Sequence, residues 1–196
     1  MDFDYWRHYL RARMFETLRR TDDAIAEYRI ASRLAPDKPR LLNSLGYLLA
    51  GRERWEEAAE CFTQAACVDP GDPVAFFNLG FARDKQKEFD QAIAAFREAV
   101  RLKPALDRAW YGMGMAYARL GRHQEAVKAL EEAATLQPMN AAAWYALGMA
   151  YHATHNPAKV KEVVEHLFRF DPVMTRQLIR DAERSDLAQM VKDLAV

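Results

Sequence analysis

Five of the eight prolines, Pro36, Pro70, Pro104, Pro138 and Pro172, stand 34 residues apart without a slip. Glycine keeps the same period at Gly46, Gly80, Gly114 and Gly148. Alanine keeps it twice, at Ala24, Ala58, Ala92 and Ala126 and at Ala31, Ala65, Ala99 and Ala133. A bulky series, Tyr28, Phe62, Phe96 and Leu130, runs in step. Self-similarity at this spacing leaves few folds open. The chain must be an array of small units that bury apolar faces against their neighbours.

Each unit reads as two helices. In 107–140 the apolar residues Trp110, Met113, Tyr117 and Leu120 recur at intervals of three and four. Gly121 interrupts them, and a second run through Ala126, Val127, Leu130, Ala133 and Leu136 ends at Pro138. Charged residues fill the gaps, which describes amphipathic helices rather than strands. Gly121 is expected to form the turn, and Gly51 to do the same in an earlier unit. Proline lacks an N–H and drives the preceding residue out of the α region, so it stops the second helix. The pairs Gly46/Ala58, Gly80/Ala92 and Gly114/Ala126 are expected to mark close helix crossings.

In these residues the chain resembles the tetratricopeptide repeat (TPR) family. Trp110-x-x-Met113-Gly114-x-x-Tyr117, followed by Ala126, Leu130, Ala133 and Pro138, follows the family pattern. Sister units run from Phe76, Leu79 and Gly80 to Pro104 and from Leu42, Leu45 and Gly46 to Pro70. The match is close over 39–140 and looser on either side. Residues 1–38 read as an atypical first unit, with Ala12 at the glycine position and His8 and Arg11 where an aromatic and a leucine are usual. Residues 141–174 read as a degenerate unit, its second helix carrying Val160, Val164 and Leu167. Residues 175–196 read as capping helices burying Leu178, Ile179, Leu187, Met190 and Leu194. Terminal repeats lack a neighbour and are expected to differ. The resemblance implies an all-α, right-handed superhelical solenoid of antiparallel helix pairs with a C-terminal capping helix.

It also implies a concave groove lined by set positions of each first helix. These hold Tyr47, Phe77, Asn78, Phe81, Arg108, Tyr111, Met115, Tyr145 and Met149. Packing does not require large apolar side chains there, yet aromatics and methionines form a stripe. Large rigid rings and adaptable thioethers suit a grip on a helix or an extended peptide. Some family members clamp the C-terminal carboxylate of a chaperone peptide with Lys, Asn and Arg. Asn78 and Arg108 match part of that set, while Asn43, Tyr47 and Gly112 do not. A single Asn78–Arg108 anchor for an acidic residue or a peptide backbone suits these residues better. Two readings of the stripe stay open, a groove awaiting a guest and a surface covered by the chain's own terminal helices.

Chemistry finds little support. His152 and His155 sit three apart, with no cysteine or carboxylate pair to complete a metal set. Cys61 and Cys67 fall on a second helix, where small buried hydrophobes are expected, and their spacing points them to separate faces, against an internal disulfide. Gly112 and Gly114 lie inside a helix and form no phosphate loop. Neither catalytic residues, cofactor nor metal is expected. Lys plus Arg and Asp plus Glu both number 28, so no broad field draws nucleic acid or an anionic membrane. No run approaches the roughly 18–20 apolar residues of a membrane span. No secretory leader is read at Met1–Arg7, and a reducing cytoplasm is the expectation.

The expected function is therefore a non-catalytic adaptor, scaffold or chaperone-like module. Its partner would be a protein or peptide with an apolar or amphipathic segment. The alternative is a self-assembling scaffold whose N-terminal helix, bearing Phe3, Tyr5, Trp6 and Tyr9, enters a neighbour's groove and forms homo-oligomers.

Overall fold

The computed structural model describes residues 3–194, with side chains through Gln189. Among the described residues all regular structure is helical. The chain divides into two compact units, 1–103 and 104–196. The first holds three hairpins: α1 (Phe3–Thr17) with α2 (Thr21–Leu34), α3 (Pro39–Ala50) with α4 (Trp55–Val68), and α5 (Pro73–Lys85) with α6 (Phe89–Leu102). The second holds α7 (Asp107–Arg119) with α8 (His123–Leu136) and α9 (Ala141–Ala153) with α10 (Pro157–Phe168). It closes with α11 (Pro172–Asp181) and a terminal 3₁₀ helix (Ser185–Leu194). No described helix is long and apolar enough to cross a membrane.

The prolines act as expected at four of the five sites. Pro36, Pro70, Pro104 and Pro138 each follow the C-cap of a second helix. Pro172 does the opposite. It is the first residue of α11, where its missing N–H costs nothing and its fixed φ suits the first turn. The Asp171 carboxylate completes that start by accepting from Met174 N at 2.9 Å. The terminal segment thus begins at Pro172, ahead of the 174/175 boundary suggested by the period. Leu178, Ile179 and Leu187 are buried as expected, while Met190 and Leu194 lie outside the described side chains.

One turn is repeated five times. Arg19, Glu53, Lys87, Gly121 and His155 all have φ between +55° and +71° and stand 34 residues apart. The N–H of each left-handed residue bonds back in the 5→2 pattern and the next N–H in the 6→1 pattern, for example Lys87 N to Asp84 O at 3.0 Å and Glu88 N to Arg83 O at 2.9 Å. This Schellman arrangement satisfies the last carbonyls of the helix. Gly51, expected to make the turn, has φ −65° and continues the right-handed helix, so Glu53 takes the left-handed position instead. α11 ends in the same way at Glu183, φ +54°, with Arg184 N to Ile179 O at 2.8 Å. By its ending α11 is a sixth first helix.

Packing explains the period. A Cβ at Gly46 would lie 2.7 Å from Phe62, at Gly80 2.7 Å from Phe96, and at Gly114 2.6 Å from Leu130. The glycine is therefore a seat for the bulky residue of the opposite helix. Ala58, Ala92 and Ala126 are fully buried beside it, but Phe62, Phe96 and Leu130 make the closest approach. In the last hairpin Val163 comes within 3.2 Å of that position, yet the seat is taken by Leu178 of α11 at 2.6 Å. Burying one such side chain contributes about 1.5–3 kcal/mol to holding each hairpin shut.

Candidate functional site

In the first unit the residues expected to line a groove lie on α3 and α5, two first helices that touch. Tyr47 is 70% exposed and Phe81 42%, although both helices bury an opposite face. Phe81 meets the Trp55 ring edge-on, with centroids 5.9 Å apart. The Lys85 ammonium stands over both rings, 5.3 Å from Phe81 and 5.9 Å from Trp55. These distances suit a cation–π interaction. Phe77 is half-buried and leans on the core ring of Phe96 at 6.0 Å, so part of its surface is spent on its own hairpin. Asn78 is half-buried on the same helix.

Beside them Asn43 donates to the Asp72 carboxylate at 3.1 Å. Asp72 in turn caps α5 by accepting from Val74 N at 2.8 Å. The Asn43 Oδ1 is buried with no hydrogen-bond partner. The arrangement fixes the start of α5 against α3, a positioning role that the sequence reading missed. Trp55 and Lys85 were missed too, because their relation to Phe81 depends on which helix ends meet.

In the second unit Arg108 is exposed on α7. Tyr111 and Met115 of α7 and Tyr145 and Met149 of α9 are half-buried against the core. Tyr145 donates its hydroxyl to Asp181 of α11 at 2.8 Å. Burial, then this bond, pushes the phenol above its ordinary value. The same bond, followed by Arg180, holds the Asp181 carboxyl below the usual carboxylate range. On α9, therefore, the chain's own terminal helix engages part of the stripe.

Several expectations need correction. Cys67 is exposed, not a buried hydrophobe, and Cys61 is half-buried, its thiol pushed up to about 11 chiefly by burial. Tyr5 and Tyr9 do not offer themselves to a neighbour. They stack at 5.7 Å, and Tyr9 packs on Tyr28 at 5.9 Å, because both point into the first hairpin. Phe3 and Trp6 do face solvent. His155 occupies the left-handed turn after α9, and no cluster of three metal-binding side chains occurs among the described residues.

One family model, described as a tetratricopeptide repeat, matches residues 9–75, and a second, a TPR repeat, matches 85–121 and 114–154. Together they take in well over half of the chain. The chain belongs to the tetratricopeptide repeat family. Solved TPR-like structures agree on the fold. A MamA protein superimposes with a TM-score of 0.79 at 21% identity, covering 95% of this chain and 98% of that one. YrrB, described as a TPR protein with an unusual peptide-binding site, gives 0.78 at 22% identity, with 90% of each chain covered. The first TPR of Spaghetti (RPAP3), bound to the HSP90 peptide SRMEEVD, gives 0.59 at 28% identity, covering 60% of this chain and 94% of that one. A search of curated proteins found no match.

Proposed function

We propose that this TPR chain is a non-catalytic protein-interaction module that binds an apolar or amphipathic segment of a partner along its first helices. The observation that carries this reading is the exposure of Tyr47 and Phe81 on adjacent first helices, at positions the core does not use. Aromatic side chains held on rigid helices make effective contact anchors because they have little rotamer freedom to lose. In this reading Phe77 extends the apolar contact in the first unit and Asn78 holds backbone or a carboxylate there. In the second unit, taken by itself, Tyr111, Met115, Tyr145 and Met149 offer apolar contact and Arg108 a carboxylate anchor. Peptide complexes of similar folds, such as that of Spaghetti with its HSP90 peptide, support the general mode. The incomplete clamp set argues for a different guest.

Trp55 supplies a test. Its ring touches Phe81, so a guest seated there changes the local indole environment. The full chain is titrated with a panel of amphipathic and extended peptides while tryptophan emission is followed. A binding peptide should lose about 30-fold or more in affinity against the Tyr47→Ala/Phe81→Ala variant, a typical cost for anchor residues. Equal affinity with unchanged circular dichroism would remove these residues from the site.

A further inference from the structure

α1 is apolar on two opposite faces. At about 100° per residue, Tyr5, Tyr9 and Ala12 point into the first hairpin. Phe3, Trp6, Leu10, Met14 and, just past the helix, Leu18 point the other way within an arc of about 120°. Their exposures are 77%, 47%, 59%, 49% and 59%. The repeat does not dictate this stripe. The equivalents of Leu10 are Ser44, Asn78, Gly112 and Ala146. Met14 corresponds in α5, α7 and α9 to Ala82, Ala116 and Ala150, all buried.

The neighbouring face of the hairpin is closed by charge. Glu27 is buried on α2, bonded to His8 Nδ1 at 2.5 Å and to Arg11 at 3.0 Å. In the later units the equivalents are uncharged, among them Phe76, Leu79 and Ala95, and Trp144, Leu147 and Val163. Those two sets line clefts beside the preceding second helix, with Thr63 in the first case and Glu131 and Thr135 in the second. The ionic cluster makes this face of the first hairpin polar, so the α1 stripe is the exposed apolar surface of that hairpin.

The stripe is nearly palindromic about Leu10, with Trp6 and Met14 four residues to either side and Phe3 and Leu18 at the ends. Two antiparallel copies of α1 would set Leu10 on Leu10 of the partner subunit and Trp6 on Met14 of the partner subunit, a favourable sulfur–aromatic pair. Arg7 falls within the same arc and Arg13 at its edge, and a two-fold at Leu10 brings them opposite one another across the seam. Each carries its own counter-charge, Arg7 to Asp4 at 3.3 Å and Arg13 to Glu16 at 3.6 Å. At about 150–250 Å² for each aromatic and somewhat less for Leu and Met, each copy exposes on the order of 500 Å². Two copies then bury at most on the order of 1,000 Å², the lower bound for a specific interface, which makes the pair a weak, concentration-dependent one. We propose that the chain forms a two-fold homodimer through the outer face of α1, with Leu10 on the axis. This arrangement closes as a pair, unlike insertion of α1 into a neighbour's groove, which propagates.

Sedimentation velocity of the full chain over a concentration series tests it. The wild type should shift from monomer to dimer as its concentration rises. Leu10→Glu and Leu10→Lys, at an exposed position, should keep their helical circular dichroism. Each should weaken association by about 1,000-fold, because a two-fold interface carries every change twice. Mixing the two variants should restore a dimer, since opposite charges then meet on the axis, and Tyr47→Ala/Phe81→Ala should dimerise normally. A wild type that is monomeric throughout, a dimeric Leu10→Glu chain, a mixture that stays monomeric, or loss of the dimer in the Tyr47/Phe81 variant would each overturn the proposal.

Discussion

Substituting Gly80 by alanine sets two known effects against each other, and the structure says which wins. Alanine improves intrinsic helix propensity by about 1 kcal/mol. Its Cβ, however, would stand 2.7 Å from Phe96 Cδ1, 2.8 Å from Cε1 and 3.0 Å from Cγ. Carbon atoms in contact prefer about 3.5–4.0 Å, so the helices must part by on the order of 1 Å or the ring must leave. Phe96 is only 1% exposed and has Phe77 against it, so it has no free direction. Overpacking costs about 1–3 kcal/mol, and three atoms within 3.0 Å on a ring that cannot move place this case at about 2–3 kcal/mol, for a net loss of about 1–2 kcal/mol. The midpoint of thermal unfolding, read by far-ultraviolet circular dichroism, should fall by about 2–8 °C. Repeating the substitution in a Phe96→Ala background isolates the cause. There the clash is gone, and Gly80→Ala should become stabilising by about 1 kcal/mol. A rise in Tm in the wild-type background, or an equal cost in both, would refute the claim that the ring sits on the glycine.

Other outcomes follow from the turns, the thiols, the terminal helix and the charged cluster. Glu53→Gly and Lys87→Gly should each stabilise the chain by about 0.5–1 kcal/mol in urea unfolding, and Gly121→Ala should cost about 1 kcal/mol, because these residues hold positive φ. Gly51→Ala should cause no such loss, since Gly51 is right-handed and its Cβ would meet nothing closer than 3.5 Å. In a thiol-reagent assay near neutral pH the native chain should show one fast thiol, Cys67, with Cys61 reacting much more slowly until the chain unfolds. The depressed Asp181 carboxyl contributes stability above its ordinary range that is lost as the pH falls through its folded value. Tyr145→Phe should therefore flatten the acid limb of the stability profile below about pH 4; an unchanged limb would count against the bond. His8→Leu/Glu27→Ala should expose an apolar end face and drive association beyond a dimer, seen as growth in light scattering.

The hairpin array was legible because 34-residue periodicity is carried by residue types with strong local causes, proline at helix ends and glycine under a ring. The turns were less so. The left-handed position repeats at Arg19, Glu53, Lys87 and His155 with no glycine to mark it, and Gly51 stands two residues away as a false signal. Backbone geometry there is set by the helix exit and tolerated by the side chain. Among the residues that the family resemblance singled out for a groove, Tyr47 and Phe81 are exposed. The bond from Tyr145 to Asp181 was not legible, because it depends on where a helix outside the clear repeats comes to rest. The outer stripe of α1 escaped notice because aromatics on both faces blur into one hydrophobic run.

Leu178 decides how the protein can be cut. In the second, third and fourth hairpins the socket over the glycine is plugged from within, whereas in the fifth the plug is delivered from α11. The smallest intact piece at this end is thus α9, α10 and α11 together. Trimming the chain to the boundary that the repeat advertises, or nicking it just ahead of Pro172, would uncork Gly148 and spill a hydrophobic interior into water.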